Sequence, residues 1–251
     1  MPKVKDVIDI IESRAPLSLA LDFDSAGLNV GDLLDDVKGI MLAQNVTYST
    51  LEECASVGAN LLITHHPCVF GEEPDKYMQS LVAKAKKLKI NLYSCHTNLD
   101  CCVGGLNDFV ADKLGMKDVY VIDGCARGGN VKRAKLKEFA KFVANALEDD
   151  CVKYVGDDDR AISKVALCTG AGARDEALVE YAKDNAVDCI IGGESKLSLS
   201  LMAKDLGVCI VEVGHYTSEI ACIQIFKSWL KDYEYMIKVS KTDINPYKSI
   251  K

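Results

Sequence analysis

The sequence predicts an α/β protein made of two similar three-layer α/β/α subdomains, an internal duplication with a metal site in the cleft between them. Three observations predict it. Short, almost continuously apolar runs alternate with amphipathic helical patterns, the mark of largely parallel strands covered on both faces. The same strand–helix order occurs twice. All four histidines fall in three short segments, each at the end of an apolar run, where open α/β sheets bind their ligands.

Residues 1–16 read as an amphipathic helix with Val4, Val7, Ile8 and Ile11 on one face. The segment has neither the apolar stretch nor the cleavage site of a signal peptide. The first repeat follows as a strand at Gly39–Ala43, a helix at Ser49–Val57 and a strand at Ala59–Ile63 that ends on His65-His66. A helix at Tyr77–Lys87 and a strand at Ile90–Tyr93 complete it, ending on His96 and Asp100. The second repeat runs Lys164–Cys168, Asp175–Asn185, then Val187–Ile191, which ends on Gly193-Glu194. Leu197–Leu206 and Val208–Val211 follow, ending on His215 and Glu219, with a last helix expected from about Thr217 to Leu230.

The glycine-rich segment Gly124–Gly129 marks the expected boundary, giving subdomains at residues 1–126 and 127–251 whose terminal elements are open to exchange. It lacks the glycine spacing of a phosphate-cradling loop, so a linker or turn is expected there.

Composition narrows the function. With 49% apolar and 27% charged residues the chain is an ordinary soluble globular protein. A formal charge of -7 argues against a nucleic-acid partner, and the basic stretch Lys84–Lys89 reads as a solvated helix face. No apolar run is long enough to span a bilayer, so no membrane partner and a cytoplasmic location are expected. The eleven cysteines include no Cys-x-x-Cys pair and read as core-filling thiols rather than a disulfide framework.

Two of the histidine segments repeat one spacing, a histidine with a carboxylate four residues on: His96 with Asp100, and His215 with Glu219. Imidazole and carboxylate together suit divalent transition metals. His65, His66, Asp100, His215 and Glu219 make more ligands than a single catalytic zinc takes, which suggests two ions bridged by a carboxylate. His96 reads equally as a ligand or as a hydrogen-bonded neighbour. Glu194, the repeat counterpart of His66, reads equally as part of the site or as a helix cap. Asp22 and Asp24 approach the site or end a turn. Cys68, Cys95, Cys101 and Cys102 crowd the motifs, and whether a thiolate joins the site is open.

These motifs resemble the Nif-three-like dinuclear metal-centre family, whose members often bear the name GTP cyclohydrolase I type 2. The resemblance rests on Leu62–Pro67, on His96–Asp100 with Gly104–Asp108, and on Gly214–Glu219. Weaker matches are Phe23–Leu28, Gly192–Glu194 and Asn245-Pro246. It spans the chain in order. It implies a toroidal homohexamer with inward-facing metal sites and two divalent ions per subunit (zinc, iron, manganese, cobalt and nickel all remain open). It implies that His65, His66, Asp100, His215 and Glu219 bind them, with Glu219 the bridge and His96 beside the metals.

The chain departs from the family pattern at Ser25 (usually Asn), at Asn45 (often Asp) and at Lys196-Leu197-Ser198, where a histidine often follows Gly-Glu. These lie outside the five ligands and bear on substrate contacts and proton transfer. The function expected is hydrolysis of a small molecule or nucleotide by metal-activated water, with His96 or Glu194 moving the proton. The alternative is a non-catalytic hexameric metal carrier or a regulatory interaction protein.

Overall fold

The computed structural model describes residues 1–71 and 75–248. In chain order the elements are α1 (Val4–Glu12), β1 (Gly27–Val30), β2 (Ile40–Ala43), α2 (Tyr48–Ser56), β3 (Leu61–Thr64), α3 (Lys76–Leu88) and β4 (Asn91–Ser94). Next come α4 (Thr97–Cys101), α5 (Leu106–Lys113), β5 (Lys117–Ile122), β6 (Ala126–Lys135), α6 (Leu136–Leu147), β7 (Lys153–Val155) and β8 (Ala161–Cys168). The chain closes with α7 (Glu176–Asp184), β9 (Cys189–Gly192), α8 (Leu197–Leu206), β10 (Cys209–Glu212), α9 (His215–Glu219), α10 (Cys222–Trp229) and β11 (Ile237–Val239).

These form two compact units. The first takes Met1–Gly105 together with Cys222–Ile244, and the second takes Leu106–Ala221 with the tail from Asn245.

In the first unit the sheet order is β1-β4-β3-β2-β11, parallel throughout except for the antiparallel edge strand β1. Alternate residues of β2 to β4 face opposite ways. Met41, Ala43, Leu62 and Leu92 pack with Leu51 and Cys54 of α2 and Leu81 and Ala85 of α3. Helix α10 packs against β2, with α1 lying on α10. Val4, Val7, Ile8 and Ile11, the predicted stripe of α1, are all buried, and each contributes roughly 1.5–3 kcal/mol through area removed from water. Helix ends follow the side chains: Thr47 caps α2, and Asp75 accepts from Met78 N at 2.8 Å to cap α3.

In the second unit the order is β5-β6-β8-β9-β10-β7. Strands β8, β9 and β10 are parallel, and β7, β6 and β5 add antiparallel pairings at the two sides. Val165, Leu167, Cys189, Ile191 and Val211 pack on α6 through Leu136, Phe139 and Val143. Ala166, Ile190 and Ile210 pack on α7 and α8 through Leu178, Val179, Ala182, Leu199 and Ala203. The three-layer arrangement and the duplicated parallel core are those the sequence pattern predicts.

Of the linker or turn expected at Gly124–Gly129, the structure has the turn: Asp123 and Gly124 have positive φ in the turn of the β5–β6 hairpin, and Gly128 and Gly129 lie within β6. One expectation changes. The expected helix at 217–230 is two helices, α9 and α10, broken at 220–221, and they belong to different units. Among the described residues no helix is long and apolar enough to cross a membrane.

Candidate metal centre

In the first unit His65 and His66 continue directly from β3, and His96 occupies the N-cap of α4 just beyond the neighbouring strand β4. Parallel pairing of β3 and β4, with Thr64 opposite Ser94, therefore brings all three imidazoles to one sheet end. Their ring centroids are 4.8 Å apart (His65–His66), 5.1 Å (His65–His96) and 5.5 Å (His66–His96). One ring nitrogen from each lies within 4.8 Å of the other two. Asp100 Oδ1 is 3.8 Å from His65 Nε2.

Each ring is turned by an oxygen that can only accept. His65 Nδ1 lies 3.0 Å from the Cys95 carbonyl, His66 Nδ1 lies 2.7 Å from Asn45 Oδ1, and His96 Nδ1 lies 2.8 Å from Asp24 Oδ1. Nδ1 must donate in all three, so in the neutral ring Nε2 carries the lone pair. This is the arrangement metal-ligating histidines adopt, with the outer nitrogen fixed and the inner one directed at the ion. The donor set thus fits a divalent cation.

The outer partners are themselves held. Asp24 also accepts from Thr97 N at 3.0 Å and from the Thr97 hydroxyl. Burial works against its charge, yet His96 and Thr97 outweigh burial and hold the carboxyl at about 2. Asn45 donates Nδ2 to Asp243 Oδ1 at 3.0 Å, while Asp243 Oδ2 accepts from the backbone N–H groups of Gln44 and Asn45.

In the second unit His215 and Glu219 are the first and last residues of the five-residue helix α9. Residues four apart share a helix face, and His215 Nε2 lies 3.2 Å from Glu219 Oε2. Glu194, two residues after β9, places Oε1 3.5 Å from His215 Nδ1 and accepts from Arg174 Nη1 at 3.0 Å. Glu219 is buried, and Gly170 makes room for it: a Cβ there would fall 1.9 Å from Glu219 Oε1, and φ is +56°. Ser218 Oγ accepts from Gly170 N at 3.0 Å and donates to the His215 carbonyl at 2.8 Å. Burial alone would lower the pKa of His215, but Glu219 and then Glu194 raise it above the ordinary value.

Each predicted residue thus has a definite setting. His65, His66 and His96 cluster with Asp100 beside them, and His215, Glu219 and Glu194 cluster in their own unit. Asp24 reaches His96, whereas Asp22 stays exposed. Of the nearby cysteines, Cys68 and Cys95 are buried, and burial pushes the Cys68 thiol up to about 11 and the Cys95 thiol well above its ordinary value. Nine cysteines are free thiols, and all of them except the exposed Cys151 are buried or half-buried, as expected for core filling; Cys101 and Cys125 are not among the nine.

Sequence reasoning missed Asp243 and Arg174. Neither has ligand spacing to any histidine, and only the folded chain brings them to Asn45 and Glu194. The aromatic pair Phe23 and Phe70 also went unread. Their ring centroids are 6.0 Å apart, and Phe70 stands edge-on to His96 at 5.8 Å.

Comparison with known proteins places the chain. The profile of the family described as Duf34/NIF3 (NGG1p interacting factor 3) matches residues 2–246. A Clostridium acetobutylicum protein named GTP cyclohydrolase 1 type 2 homolog is 31% identical over 267 residues, covering 98% of each chain. A Clostridium perfringens protein of the same name is 33% identical over 230 residues, covering 86% of this chain and 87% of that one. Among solved structures, a Bacillus cereus protein related to NIF3 shares the fold with a TM-score of 0.89 at 20% identity, covering 100% of this chain and 99% of that one. Reduced HcgD from Methanocaldococcus jannaschii matches with a TM-score of 0.83 at 26% identity, over 96% of this chain and 98% of that one. With nearly its whole length matched, the chain belongs to the Duf34/NIF3 family.

Proposed function

We propose that the protein holds two divalent cations on His65, His66, Asp100, His215 and Glu219, with Glu219 bridging, and uses them to hydrolyse a small molecule of nucleotide type. One observation carries the reading. Three imidazoles at one sheet end are each turned by a different oxygen so that Nε2 is the lone-pair nitrogen. Histidines that only fill space or carry polarity have no reason to share that orientation.

Bound cations supply Lewis acidity and bring the pKa of a water toward neutrality. The chain's residues supply the rest. His96, with Nδ1 committed to Asp24, would take or give a proton at Nε2. Glu194 has Oε1 engaged by Arg174 and would serve as the proton acceptor on the second unit's side. Phe23 and Phe70 are 59% and 40% exposed, and a nucleobase stacked on such rings gains about 1–3 kcal/mol. The names of the relatives point toward GTP.

The test is to incubate metal-loaded protein with GTP and with simple phosphate esters, measuring formate and phosphate. Formate release supports the cyclohydrolase activity. Ester hydrolysis without formate keeps the hydrolase and removes that label. Full metal occupancy with no turnover contradicts the hydrolase and leaves the carrier. The ring-shaped homohexamer is part of the same proposal, and light scattering of the native protein should return six copies; a monomer would contradict it.

A further inference from the structure

We propose that Asn45 and Asp243 are positioning residues for His66, forming a relay in which a carboxylate from the C-terminal segment orients an amide, and the amide orients the imidazole. The inference rests on the reading of His66 as a metal ligand, but its geometry belongs wholly to the first unit.

The relay is determined at each link by what its atoms can do. His66 Nδ1 is 2.7 Å from Asn45 Oδ1. An asparagine side chain has one accepting oxygen and one donating NH2, so it can present either end to the ring. If NH2 faced Nδ1, the ring would have to accept there and carry its proton on Nε2, where a metal needs a lone pair. Asp243 removes the choice. Its Oδ1 lies 3.0 Å from Asn45 Nδ2, and a carboxylate only accepts, so the amide must turn its oxygen to His66. The other carboxylate oxygen is occupied as well, taking the backbone N–H of Asn45 at 3.1 Å and that of Gln44. Asp243 is 9% exposed, so water is a poor substitute for these bonds.

The segment bearing Asp243 has its own anchor. Glu53 of α2 accepts from Ser240 Oγ at 2.6 Å, Lys241 N at 2.9 Å, Thr242 Oγ1 at 2.8 Å and Thr242 N at 3.1 Å. Strand β11 pairs with β2 immediately before, Val239 lying opposite Leu42. Residues 237–243 are thus laid along β2, and their carboxylate arrives at residue 45 just past the end of that strand. This gives the return of the C-terminal segment to the first unit a chemical purpose as well as a structural one.

Counting donors and acceptors yields a test with an internal control. In Asp243→Asn one accepting oxygen must serve three donors, so the relay is broken. In Asn45→Asp two carboxylates face each other, and like charges at that distance disfavour the arrangement. The double variant N45D/D243N restores every bond in reversed order. The carboxylate now at position 45 would accept from His66 and from the amide now at position 243, whose oxygen would accept from the two backbone N–H groups.

The experiment measures 15N shifts of the His66 ring in metal-free protein near pH 8, and zinc affinity against a competing chelator, for the wild type and the three variants. The expected result is an Nδ1–H ring in the wild type and the double variant, and a mixture of tautomers in each single variant. Zinc affinity should fall about tenfold in each single variant, as for other outer partners of ligating histidines, and return to within about threefold of wild type in the double variant, the signature of direct coupling. Unchanged tautomer and affinity in both single variants would overturn the proposal. So would a double variant no better than the worse single one. A wild type that binds no zinc would sink the metal reading instead, and the tautomer cycle would still decide the relay.

Discussion

The ends of β4 and β10 carry what looks in sequence like one motif, and the two units use it differently. Each strand is followed by one residue, an N-cap and a five-residue helix. His96 is the N-cap of α4, with φ -106° and ψ -110°, whereas His215 is the first helical residue of α9 and Gly214 takes the cap. The identical four-residue spacing therefore sits one position out of register. One residue turns a side chain by about 100° around a helix. Asp100 accordingly matches Ser218 in position, and Glu219 matches Cys101. His96 bonds to Asp24 beside two further imidazoles, while His215 pairs with its own helix partner, Glu219. Duplication supplied the scaffold twice, and a one-residue offset let each copy present different chemistry: three clustered imidazoles in one unit, a histidine paired with the carboxylate of its own short helix in the other.

The largest effect that would sharpen this contrast is expected at Glu219. Glu219→Gln should reduce metal affinity by more than the roughly ten- to hundredfold typical of outer partners, leaving one or both positions empty by elemental analysis. Undiminished metal content would count against the bridging role. His96→Ala should separate chemistry from binding, lowering turnover by roughly 10²–10⁴-fold with metal content near wild type. A parallel fall in both would move His96 among the ligands and erase the distinction between the two motifs.

Gly170→Ala should act on the second unit alone. The added Cβ meets the Glu219 carboxylate and the backbone lies at φ +56°, so a loss of about 1–3 kcal/mol is expected in thermal or denaturant unfolding. A variant as stable as wild type would show that Glu219 moves freely.

The smallest effects are in pH dependence, and the two units should respond in opposite directions in metal-free protein. Asp24 and Glu53 are each held at about 2. A depressed folded pKa stabilises above the unfolded value and is lost as pH falls through the folded one, so the first unit should weaken between about pH 4.5 and 2. Asp24, whose side chain is fully buried, should contribute on the order of 1–2 kcal/mol of this. Glu53 is closer to solvent and contributes less through screening. His215 is raised, so its contribution is complete below the ordinary histidine value and is lost as pH rises through its folded pKa. Asp24→Asn should flatten the acid arm of the stability profile and His215→Asn the alkaline arm. Unaltered profiles would contradict the pairings.

Much of this was legible in the sequence because parallel strands buried on both faces are written as apolar runs, and each predicted strand of the β2–β3–β4 and β8–β9–β10 cores was found within a few residues. The antiparallel elements were not. The β5–β6 hairpin is mostly exposed on β5, and its glycines read as a linker or turn without revealing the strands on either side; β11 is three residues long. The histidines announced themselves by clustering, and their strand-end location follows from the apolar runs before them. Asp243 and Arg174 carried no such signal, since their partners are 198 and 20 residues away. A one-residue register shift is invisible to spacing, because it depends on which residue takes the helix cap.

The central claim is that donors from both histidine motifs hold a pair of cations, and an anomalous-difference map from crystals grown with zinc tests it most directly. The account predicts two peaks per chain, about 3.5–4 Å apart, with Glu219 touching both. A single peak on His65, His66 and His96 with Glu219 uninvolved, or none at all, would contradict it.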